Sequence, residues 1–182
     1  MFASPFAKLS KKSENKLTFS VFYLLIISII TMKYFDSHLT NQITPNGIIS
    51  FELSYSLENA QEIINSWSPT AKIFAGLSLG FDFLFLLIYT LFISILIHKL
   101  NQRLWIGKSF YRIGELLIWS MFIAAIFDAV ENVCLIKLLI GNLKQYWVSV
   151  AYYFALAKFI LIIISILYII INFFTLLFKK NS

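Results

Sequence analysis

Apolar residues dominate four long stretches of this chain, at about 17–34, 71–97, 113–140 and 147–178, and polar residues collect between them. Each stretch reaches the roughly 17–25 residues that a helix needs to cross a bilayer, the first only near the lower limit. None alternates apolar and polar positions with the period of two that a barrel strand requires. Backbone in hydrocarbon must satisfy its own hydrogen bonds, which leaves helices. The pattern therefore predicts an all-α integral membrane protein, a four-transmembrane-helix bundle. A cleaved signal peptide is the competing reading of the first stretch, but Met32-Lys33-Tyr34-Phe35-Asp36 offers no small-x-small cleavage site, which favours a retained helix.

The connector 35–70 is the one extended polar segment. Pro45-Asn46-Gly47 reads as a turn. From Ser56 the periodicity turns helical: Ser56 suits a cap, Glu58 the first turn, and Leu57, Ala60, Ile64 and Trp67 one apolar stripe. Ser68-Pro69 should end that segment. The expectation is a short extracytoplasmic amphipathic helix, lying on the membrane surface or over the mouth of the bundle. Gly76 and Gly80 form a small-xxx-small pair suited to close helix contact. Gly141-Asn142 opens the last turn.

Composition agrees with this pattern. The 182 residues are 59% hydrophobic and 13% charged, about half the charged fraction of a soluble domain, and mean hydropathy is +0.81. The net charge of +6 sits beside the apolar runs rather than on an aromatic-laced basic face, so lipid headgroups rather than nucleic acid are the expected partners. Residues 1–16 and 179–182 read as basic tails and 17–178 as a single transmembrane domain. The connector after the second run is also basic, whereas 35–70 is acidic. The positive-inside rule then puts both termini in the cytoplasm of an inner-membrane-type protein. Cys134 stands alone in the sequence, so no intrachain disulfide forms and it reads as a packing residue. His38 and His98 are expected at the interface, Glu115 is expected to pair with Arg112 in solvent, and no residue spacing calls for a metal or cofactor.

Candidate chemistry lies inside the runs. Asp82 and Lys158 each fall about 11 residues from the outer starts of the second and fourth runs, roughly 16 Å along a helix. Asp128 and Glu131 lie at similar depth in the third. Asp128, Glu131 and Asn132 are spaced i, i+3, i+4 and share a face. Ala124, Ala125 and Ala129 leave room beside that face. The stripe Ser78, Asp82, Phe85, Tyr89 brings the Tyr89 hydroxyl inward, and Ala151 and Ala155 precede Lys158 on theirs.

Ionisable groups at this depth face a protein interior and mark a site. Three acids against one base leave a negative excess that a bound proton or a cation would balance. The expected ligand-binding residues are Asp82, Tyr89, Asp128, Glu131, Asn132 and Lys158. The leading reading is binding or translocation of a small cationic or amphipathic ligand, with proton linkage. The first alternative is an intramembrane acid/base enzyme acting on a lipid or isoprenoid through Asp128, Glu131 and Asp82. The second is a structural subunit. A pathway through four helices alone is narrow, so transport would call for a homo-oligomer or a membrane partner.

Overall fold

A computed structural model describes residues 3–180, and the outermost residues of both expected tails lie outside the described residues. Among the described residues there are six helices and no strand: α1 (Lys11–Asp36), α2 (Ile48–Glu52), α3 (Leu57–Ser66), α4 (Pro69–Leu104), α5 (Tyr111–Leu139) and α6 (Gln145–Lys180). Helices α1, α4, α5 and α6 are long and apolar enough to cross a membrane. The protein is thus a membrane-spanning helical bundle.

Local chemistry sets the helix starts. Ser10, Ser56 and Ser68 each accept a hydrogen bond from the amide three residues on, at Ser13, Asn59 and Ala71. This satisfies one orphan donor per helix. Pro69 follows Ser68 at the first helical position, where its missing N–H costs nothing. So Ser68-Pro69 both ends the amphipathic segment and begins α4. Lys11–Lys16, expected as tail, already belong to α1. At the α5–α6 turn Gly141 has φ +93°. That lets the amides of Gly141 and Asn142 bond back to the carbonyls of Leu138 and Lys137, a helix-ending geometry that needs glycine.

Helix α1 packs on α4, α4 on α5, α5 on α6, and α6 returns to α4. No comparable contact joins α1 to α6 among the described residues. Helices α4 and α5 are the more buried pair. Helices α1 and α6 present side chains such as Phe19, Tyr23, Ile30, Ile163 and Ile171 outward, an apolar surface that calls for lipid. Where α5 meets α6, Ala124, Ala151 and Ala155 are buried, and such small residues permit close approach.

The connector between α1 and α4 packs down onto the bundle end as a cap. Leu39, Phe51, Ala60, Ile63, Ile64 and Trp67 join Ala71, Ala75, Leu138 and Val148 in one buried cluster. Phe51 meets Trp67 edge to face at 5.5 Å, and Trp67 Nε1 donates to the Leu39 carbonyl at 3.0 Å. Outside the hydrocarbon, burying such side chains contributes about 1.5–3 kcal/mol each. The apolar face of α3 is therefore spent on the bundle end rather than on the membrane surface.

Two expectations are corrected. Gly76 and Gly80 make no close helix crossing: a Cβ on Gly80 would meet nothing within 4 Å, and one on Gly76 only Leu139 at 3.9 Å. The tight approach is at Gly114, where a Cβ would overlap the Asn101 side chain. Glu115 and His98 are not solvated interfacial residues either. They are 5% and 4% exposed, and the ring of Phe6, from the segment ahead of α1, lies 5.8 Å from that of His98.

A buried carboxylate cluster at the head of an apolar groove

Directly beneath the cap, the polar residues of three spans converge. Lys158 on α6 donates to Asp128 Oδ1 at 2.7 Å. Its ammonium lies 2.8 Å from Glu131 Oε2, a charge contact outside hydrogen-bond geometry. The Tyr89 hydroxyl of α4 donates to the other oxygen of Asp128 at 2.8 Å. Asn132, one turn beyond Asp128 on α5, donates through Nδ2 to Asp82 Oδ2 at 2.7 Å. The six anticipated residues thus fall into two adjoining polar groups, Lys158 with Asp128, Glu131 and Tyr89, and Asn132 with Asp82, with Glu131 and Asn132 fully buried.

The cluster has a member that helical periodicity does not reveal. Glu52, at the end of α2, brings Oε2 within 3.4 Å of the Lys158 ammonium. Asp36, the last residue of α1, accepts the Ile48 amide at 2.7 Å and so caps α2. Gly47 precedes that helix at φ +54°, and any Cβ there would overlap the Asp36 carboxylate. The signal available in sequence was an acid ending the apolar run Ile48-Ile49-Ser50-Phe51. The buried roof over the cluster is α2, whereas α3, expected to cover it, packs to one side.

Four carboxylates, Glu52, Asp82, Asp128 and Glu131, therefore surround one ammonium among the described residues, three of them in direct ion contact with it. Coulomb attraction in a poorly screened interior holds Lys158 in place. It cannot balance the surplus, which an added cation or bound protons would.

Below the cluster runs a half-open cavity of about 660 Å³, within the usual range of roughly 300–1,000 Å³ for small-molecule sites. It lies between α1, α4 and α6, along the seam those outer helices leave open. Glu52, Asp82, Asp128 and Lys158 reach its head, and Asp36 and Lys33 stand beside them. Toward the other end its walls are apolar, with Phe85, Phe92 and Leu96 of α4 facing Ile162, Ile166 and Ile169 of α6. From Asp82 to Leu96 the groove follows α4 for roughly 21 Å at 1.5 Å per residue. Glu131 and Asn132 are absent from its lining, so they hold Lys158 and Asp82 from behind.

No protein-family model matches this chain, and no curated protein or solved structure matches it either. Fold and site together describe a membrane-spanning helical protein with charged residues buried among its helices.

Proposed function

We propose that this protein binds an amphipathic ligand whose cationic head sits among Glu52, Asp82 and Asp128 and whose chain lies along α4 and α6. One observation carries the reading: the cavity joins a net-negative head to a long apolar trough. A compact soluble cation would leave the trough unfilled, and a plain hydrocarbon would leave the carboxylates unanswered. Binding apolar length supplies affinity and the charged head supplies orientation. The basic tails support an orientation with both termini cytoplasmic and the carboxylates toward the outer leaflet.

Acid/base chemistry on such a ligand is the second reading. The Tyr89 hydroxyl and Asp128 share a hydrogen bond and both line the cavity, so a proton donor and its acceptor would face the bound molecule. Glu131 would then act through Lys158 rather than on the ligand.

The test uses the full chain in lipid nanodiscs with dodecylamine, dodecanol and dodecyl sulfate. Dodecylamine should raise the melting temperature most, dodecanol less and dodecyl sulfate least. Asp82→Asn combined with Glu52→Gln should erase the amine's advantage over the alcohol. Equal shifts from amine and alcohol in the unaltered protein would overturn the reading.

A further inference from the structure

At the opposite end of the bundle, the first turns of α1 and the last turns of α4 enclose a second recess of about 310 Å³. Lys11, Lys99 and Arg103 line it, with Asn15 and Gln102 adding amides and Glu14 a single carboxylate. The spacing explains the gathering. Lys11 and Asn15 stand four apart on α1, as do Lys99 and Arg103 on α4, so each pair shares a face. Packing of α1 on α4 brings the two faces together.

The cations there are held without being neutralised. Lys99 Nζ donates to Asn15 Oδ1 at 2.7 Å and to Thr18 Oγ1 at 3.2 Å, both uncharged oxygens. The salt bridges among the described residues all belong to Lys158, so Glu14 does not approach any of the three cations within 4 Å. The recess also lies at a particular level. Lys11 is six residues before Leu17, where the apolar run of α1 begins, and Arg103 is six residues after Ile97, where that of α4 ends. Each offset is roughly 9 Å along its helix, which puts the recess at headgroup depth. Beneath it α1 presents Phe19 and Tyr23 outward, a surface along which an acyl chain can lie.

We infer that this recess binds a phosphate ester, with a bilayer glycerophospholipid as the source its depth favours. Three converging cations and two amide groups supply the charge and donors that phosphate oxygens accept. The reading is independent of the groove at the other end.

The test is native mass spectrometry of the full chain, titrated separately with dioleoylphosphatidylglycerol, dioleoylglycerol and glycerol 3-phosphate. The phospholipid should bind and the phosphate-free dioleoylglycerol should not. Removing one cation should weaken binding about fivefold, so Lys99→Gln with Arg103→Gln should cost about twenty-fivefold. Lys144→Gln, at the cap end, should change nothing. Glu14→Gln should tighten binding, a gain that loss of structure cannot produce. If glycerol 3-phosphate instead saturates the site with the same variant pattern, the phosphate site stands and its source is a soluble ester. Equal retention of phospholipid and dioleoylglycerol with no binding of glycerol 3-phosphate, or a double variant within twofold of the parent, overturns the inference. So does a loss in the double variant without the Glu14→Gln gain.

Discussion

Glu52 of the connector and Lys158 of the last span stand 3.4 Å apart, so a five-residue helix outside the spans shares its counter-ion with α5. That contact ties the cap to the interior of the bundle. Removing Lys158 should therefore be felt in both. In Lys158→Met the buried carboxylates Asp128 and Glu131 lose their cation, and breaking such a group from one side costs roughly 3–5 kcal/mol. Unfolding in mixed micelles should show a drop of that order, partly recovered when Asp128→Asn and Glu131→Gln are added. An unchanged midpoint would mean that the ammonium does not hold the cluster.

The cap of α2 is a separate element with its own signature. Asp36→Ala removes the carboxylate that accepts the Ile48 amide, a change worth roughly 1 kcal/mol at a helix start. Hydrogen exchange at Ile48–Glu52 should accelerate while the centres of α4 and α5 keep their protection. Uniform acceleration across the chain would show instead that α2 has no local role.

Tyr89→Phe leaves one oxygen of Asp128 without its donor while keeping the ring. The expected loss is roughly 1–3 kcal/mol. A double-mutant cycle with Asp128→Asn should return a coupling of at least about 0.5 kcal/mol, the scale for residues in contact. Strict additivity would sever the two residues energetically.

Glycines separate close approach from mere smallness. Gly114→Ala drives a methyl into the Asn101 side chain, and such overpacking costs roughly 1–3 kcal/mol. Gly80→Ala meets open space inside a helix and should match the parent or gain up to about 1 kcal/mol. Thermal unfolding of the two variants side by side reads the difference. The reverse ranking would restore Gly80 as the crossing point.

What sequence alone could show follows from where order is local. Long apolar runs need helices in lipid, so the four spans and the all-α fold were legible. Asp82, Asp128, Glu131, Asn132 and Lys158 were legible as a group because depth along a helix is arithmetic and charge in hydrocarbon has few places to go. Glu52 was not, because α2 is too short to show a period and its position rests on the Asp36–Ile48 bond across the connector. Gly76 and Gly80 misled because a stripe of small residues does not say which neighbour it meets. Glu115 misled for a related reason: Arg112 three residues earlier suggested a solvated pair, whereas Asn101 packing against Gly114 draws that face of α5 inward.

The seam between α1 and α6 has a consequence for how any occupant would be supplied. A trough that opens sideways is reached by lateral diffusion within the bilayer, without crossing water. Occupancy would then follow the mole fraction of the amphiphile among the surrounding lipids rather than its aqueous concentration. Diluting the protein with more bilayer at constant total amphiphile should empty the trough, while diluting with buffer should not.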